Sequence, residues 1–233
     1  MRESPIAEHV YLKLRSAAVL EKAHPFTTFK RRGTRFLGTD WDVGVIVRLY
    51  NHRRLLPGTG GLSHTARFVL GEEAVQTVYR WPLSHGDISR TFARLHHQDK
   101  VALVASGSAL GFLLDGIQDR RGHGITRVLF TCRCKDLITW ASDSLGRLTA
   151  ASSSKPTFYF GYTGVESISD EDIAIGTLCR GRLDFDTLLA GGDIDVVICV
   201  GSAPLQKAVW KMCTARRIRI LISRHTSIPR MMC

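Results

Sequence analysis

At 233 residues the chain suffices for one large domain or two small ones with a buried core, and a composition of 44% hydrophobic and 23% charged residues excludes a disordered chain. A formal net charge of +11 favours anionic ligands or surfaces, but the bases come in short clusters such as Lys30-Arg31-Arg32 and Arg216-Arg217, and no zinc-finger, KH or RNP-type signature accompanies them, so nucleic acid is not the expected partner. No stretch approaches the roughly 20 apolar residues that span a bilayer, and no apolar leader opens the chain, so the expectation is a cytoplasmic protein, associated at most with the cytoplasmic face of a membrane.

Residues 10–14 alternate apolar and polar side chains, as a half-buried strand does. His24-Pro25-Phe26-Thr27 reads as a strand end, since Pro25 biases His24 towards extended geometry. Strands are expected at 34–37 and 43–50, loops at 56–61 and 81–86, and either short strands or a helical turn at 68–70 and 74–79. From residue 100 the pattern changes. An apolar run, 100–105, breaks at Ser106-Gly107-Ser108 and is followed by a helical face of Leu110, Leu113, Leu114 and Ile117 that Gly122 and Gly124 end. A strand at 127–132, a helix at 136–145, a small Ser-rich linker at 150–156 and a strand at 157–162 follow. A short helix at 184–190 is closed by Gly191-Gly192. Then come a strand at 195–200, a helix at 204–215 and a last strand at 218–222.

The apolar strands alternating with helices imply a parallel sheet covered on both faces. The helix-free first part implies antiparallel β structure. The expected division is residues 1–95 and 96–233. The six cysteines (Cys132, Cys134, Cys179, Cys199, Cys213 and Cys233) form no C-x-x-C pair and show no zinc spacing, so reduced thiols and no metal site are expected.

Two segments have the composition of a ligand turn. Ala105-Ser106-Gly107-Ser108-Ala109-Leu110-Gly111 lies where an apolar strand gives way to a helix, where glycines let the backbone approach a phosphate and the helix offers free N–H groups. It is neither the full G-x-G-x-x-G, nor a P-loop, nor a nucleophile elbow, and a plain tight turn fits the local residues too. Cys199-Val200-Gly201-Ser202-Ala203-Pro204 has the same character at a second strand end.

With His24-Pro25-Phe26-Thr27, and in this order, these segments resemble the ferric-reductase and NADPH-oxidase flavoproteins, a branch of the ferredoxin-reductase-like superfamily. They are most similar to its fungal-type integral membrane oxidoreductases. Arg80-Trp81-Pro82 with Gly86 resembles the loop near the flavin phosphates in such proteins, and Gly181-Arg182-Leu183-Asp184 resembles their Gly-Arg-Pro-Asp element. The resemblance implies an α/β, ferredoxin-reductase-like chain: a partial antiparallel β flavin domain, then a parallel-sheet nucleotide-binding domain. It implies FAD and NAD(P)H as cofactors, with electrons passed from NAD(P)H through FAD to a haem or metal acceptor, such as a membrane haem domain. His24, Pro25, Phe26 and Thr27 would line the flavin ring, and Arg80, Pro82 and Gly86 its phosphates. Gly107, Ser108 and Gly111 would cradle the NAD(P) pyrophosphate, and Cys199 and Gly201 would close over the nicotinamide. No side chain is assigned as a catalytic acid or base. Departures from the pattern are Phe112 where proline is usual, Ala109 where the middle glycine stands, and a short lead before His24. They make a shortened, non-catalytic nucleotide-binding relative the alternative expectation.

Overall fold

A computed structural model describes residues 9–14, 24–32, 41–45, 76–79, 95–118, 124–150 and 155–222, the first four segments as backbone. Those four are β1 (His9–Leu14), β2 (His24–Arg32), β3 (Trp41–Val45) and β4 (Gln76–Tyr79). They form an antiparallel sheet in the order β3-β2-β1-β4. β2 pairs with β1 over His24–Thr27 and with β3 only from Thr28 onward. Pro25, which has no N–H to give, therefore lies where the strand has a neighbour on one side, the place a sheet tolerates proline.

The rest of the described chain is a three-layer α/β unit. In chain order it runs β5 (Lys100–Ser106), a single 3-10 turn at Gly107–Ala109, α1 (Leu110–Gln118), β6 (Gly124–Cys132), α2 (Lys135–Ala150), β7 (Thr157–Tyr162), a second 3-10 turn at Asp170–Asp172 and β8 (Thr177–Arg180). It ends with α3 (Phe185–Leu188), β9 (Val196–Val200), α4 (Ala203–Arg216) and β10 (Arg219–Ile222). All six strands are parallel, in the order β10-β9-β5-β6-β7-β8.

The period-2 alternation of the strands divides the core into two halves. Val101, Leu103 and Ala105 of β5, with Val128, Phe130, Phe158, Phe160, Ile198 and Val200, pack under α1 and α2. Ala102, Val104, Leu129, Val197 and Cys199 pack against Leu189 and the α4 residues Val209, Met212 and Cys213. Burial on both faces is why these strands are apolar throughout instead of alternating. The chain changes face after β8, where Gly181 takes φ +111° and its N–H donates to the Tyr162 carbonyl at 2.7 Å.

The α/β class and the antiparallel-then-parallel division of strands agree with the sequence reading, and several boundaries move. β8 was not expected. α2 runs to Ala150, one turn beyond the expected helix, because Thr149 continues the buried stripe and its hydroxyl donates to the Leu145 carbonyl at 2.9 Å. Ala150 is thus helical and not part of a linker. The strand expected from 43 begins at Trp41, and 46–50 lie outside the described residues, as do the strands expected at 34–37 and 68–70. Of the 74–79 alternatives the strand is found, at Gln76–Tyr79. Among the described residues no helix is long and apolar enough to cross a membrane.

Candidate functional site

From β5 the chain steps outward through β6, β7 and β8, then returns to the other side of β5 with β9. The reversal puts the switch point of the strand order at the carboxyl ends of β5 and β9, the position where open parallel sheets take ligands. Both glycine turns are there.

Gly107 follows the last residue of β5 with φ +56°, a left-handed conformation. A Cβ built on it would meet nothing within 4 Å, so the turn opens onto free space. Ser108 is the middle residue of this turn. Ala109 is 3% exposed, its methyl packed in the core with Ala105 and Leu110, so the absent middle glycine leaves no methyl on the outer side of the turn. Gly111 is buried in the first turn of α1. Of the three residues expected at the pyrophosphate, then, Gly107 borders open space and Gly111 is packed.

Gly201 is held by proximity. A Cβ there would lie 2.3 Å from Ser106 Oγ and 2.9 Å from Leu205 Cδ2. The two turns are tied, since the Ser202 N–H donates to Ser106 Oγ at 3.3 Å and Gln206 Nε2 donates to the Gly201 carbonyl at 2.9 Å. α4 starts at this rim with Ser202 as N-cap residue, no side-chain cap and Pro in its first turn. Its leading N–H groups are therefore not taken by a capping side chain.

Cys199 is in the core. It is fully buried in the layer beneath α4, facing Cys213. Burial, and secondarily Cys213, pushes its thiol up to about 12, and burial pushes Cys213 up to about 11. Both are neutral thiols at physiological pH. His24, Pro25, Phe26 and Thr27 open β2, whose backbone lies against the Gly107–Ala109 turn and α1. Arg80, Pro82 and Gly86 lie outside the described residues.

A second feature was not anticipated. Beyond the carboxyl ends of β6, β7 and β8 is a cleft of about 860 Å³ lined by Arg133, Arg180 and Arg182, with Tyr162, Thr163, Glu166 and Ser167 among its other walls. The Tyr162 hydroxyl accepts from the Glu166 N–H at 3.1 Å, which folds the 163–169 loop over it. Gly164 is pressed so close that a Cβ would fall 2.3 Å from the Arg133 carbonyl. Arg180 donates to the Ile168 carbonyl at 3.3 Å, while Arg133 and Arg182 make no salt bridge among the described residues. The signal in the sequence was faint: one arginine directly after β6, and two more at and just beyond the end of β8, 47 and 49 positions later.

No protein-family model matches the sequence, and no curated protein is similar to it. Solved structures are. A flavohemoglobin from Malassezia yamatoensis, described with bound FAD and heme, superposes with a TM-score of 0.55 at 14% identity, covering 96% of this chain and 53% of that one. The flavohem-like FAD/NAD-binding domain of nitric oxide dioxygenase from Vibrio cholerae superposes with a TM-score of 0.53 at 12% identity, covering 95% and 85%. The chain thus spans about half the length of the flavohemoglobin. At such identities what is shared is the fold, and the chain has the ferredoxin-reductase-like α/β fold that these two proteins display.

Proposed function

We propose that the chain is an NAD(P)H-dependent flavin oxidoreductase module, with residues 1–95 as its flavin-binding part and 96–233 as its NAD(P)-binding part. The observation that carries the reading is the strand-order reversal between β5 and β9, with an open left-handed glycine after β5 and a close-packed glycine after β9.

The residues fit a dinucleotide. Gly107 and Ser108 would offer main-chain N–H groups to a pyrophosphate where a side chain at 107 would intrude, with Gly111 buried behind them in the first turn of α1. Gly201 lets the facing turn pack against Ser106, from where it would close over the nicotinamide, and Cys199 contributes from below, as part of the packed strand that fixes that turn. Arg133, Arg180 and Arg182 suit the anionic adenosine end. The flavin belongs against β2, at His24, Pro25, Phe26 and Thr27, with its phosphates near Arg80, Pro82 and Gly86. β2 lies against the Gly107 turn, so a flavin held there would adjoin the nucleotide turn. When bound, the nicotinamide supplies a hydride and FAD divides it into single electrons for a haem or metal acceptor. The protein's own part is to hold the two rings together and exclude water.

The test is the visible spectrum of the purified chain after incubation with FAD, followed by NAD(P)H-dependent reduction of ferricyanide. A flavin spectrum and turnover are expected. Nucleotide binding by calorimetry with no flavin uptake would mean a non-catalytic relative, and binding of neither would sink the reading.

A further inference from the structure

The charge of this protein is unevenly spread. Asp195 is the last acidic residue of the chain, and residues 196–233 contain seven Lys and Arg against no Asp or Glu. The described centre of that region is α4. Its inner face, Leu205, Val209, Met212 and Cys213, is buried against the sheet. Its outer crest exposes Lys207, Trp210, Lys211 and Thr214, a stripe at helical spacing. Trp210 is 52% exposed and stands between the two lysines. Two neighbouring bases are engaged, Arg216 with Asp186 at 3.8 Å and Arg219 with Asp99. Lys207, Lys211 and Arg217 have no salt bridge among the described residues.

We propose that this crest docks the protein on an anionic lipid bilayer. Charge complementarity is the first argument, since Lys207, Lys211 and the C-cap residue Arg217 are exposed bases with no salt bridge among the described residues and no acid on the helix to oppose them. The second is the kind of residue. Lysine is depleted from protein–protein interfaces, whereas an indole flanked by lysines matches the headgroup layer, the ring at the polar–apolar boundary and the ammonium groups on lipid phosphates. The third is shape. The stripe from Lys207 to Thr214 runs about 10 Å along one helix face, so a flat surface touches all four residues at once. The inference does not depend on flavin or nucleotide binding.

The experiment is co-sedimentation of the full chain with vesicles of phosphatidylcholine alone or with phosphatidylserine, together with fluorescence quenching by bromolipids. Binding to the anionic vesicles only is expected, weakening as added salt screens it. Lys207→Glu with Lys211→Glu should lower partitioning by about tenfold or more. Trp210→Ala should weaken it severalfold and remove most of the quenching. These side chains are exposed, and circular dichroism and the melting temperature of each variant should match the parent. No preference for anionic vesicles overturns the proposal, as does undiminished binding of the charge-reversed variant. Displacement by soluble polyglutamate without bromolipid quenching would instead assign the crest to an acidic protein, and the bilayer proposal would fall.

Discussion

At Gly107 the backbone adopts φ +56° with open space where a side chain would start. A β-branched residue carries two penalties there, a left-handed backbone costing about 1–2 kcal/mol and methyl groups in the space a pyrophosphate would take. Gly107→Val should therefore lose dinucleotide binding by tenfold or more in calorimetry, while its melting temperature falls by only a few degrees. Unchanged affinity would remove this turn from the site. Cys199 and Cys213 permit a second prediction. Burial raises both thiols, to about 12 and about 11, above their value in the unfolded chain. Below an ordinary thiol pKa of about 8.5 both states keep the proton and these groups give stability no pH dependence. Above it the unfolded chain ionises first, so stability falls as pH rises towards the folded values, by up to about 1.4 kcal/mol per pH unit for each thiol. Urea titrations at rising pH should show a steeper alkaline loss for the parent than for the double variant Cys199→Ala with Cys213→Ala, whatever their absolute stabilities.

The elements differ in what they depend on. Phe130 lies fully buried at the centre of β6, under α1 and α2. Phe130→Ala should cost about 3–5 kcal/mol, measured by denaturant unfolding, and a loss below about 1 kcal/mol would mean that this layer is loosely packed. The same burial made the strands legible: 157–162 was located to the residue, and 195–200 and 218–222 each to within one, because strands covered on both faces must be apolar throughout. β8 escaped notice because Thr177-Leu178-Cys179-Arg180 is an edge strand with Leu178 only half-buried, so no periodicity marks it. α3 could be found from its punctuation. Asp184 caps it by accepting from the Asp186 and Thr187 N–H groups at 3.0 and 3.3 Å, and Gly191-Gly192 follows.

In the whole molecule the arginine cleft draws on three strand ends and a loop, at residues 133, 162, 166, 180 and 182. No local window contains them, and only the β6-β7-β8 order assembles them. Their proposed place at the adenosine end predicts a split in steady-state kinetics: Arg133→Ala or Arg182→Ala should raise KM for NADPH by about tenfold, the worth of one charge-assisted hydrogen bond, with kcat unchanged and a smaller effect on NADH. Equal effects on both nucleotides would move the extra phosphate elsewhere. The order of the sheet also bears on how the protein is made. β5 receives β6 soon after it leaves the ribosome, but its other neighbour, β9, comes 95 residues later, as the Val101↔Val196 pairing shows. At about 5–20 residues per second, the apolar flank of Val101-Ala102-Leu103-Val104-Ala105 waits roughly 5–20 s with unsatisfied backbone groups. A nascent chain cut short before Val196 would keep that flank bare for good, which makes termination after β5 and before β9 the event most prone to yield aggregates.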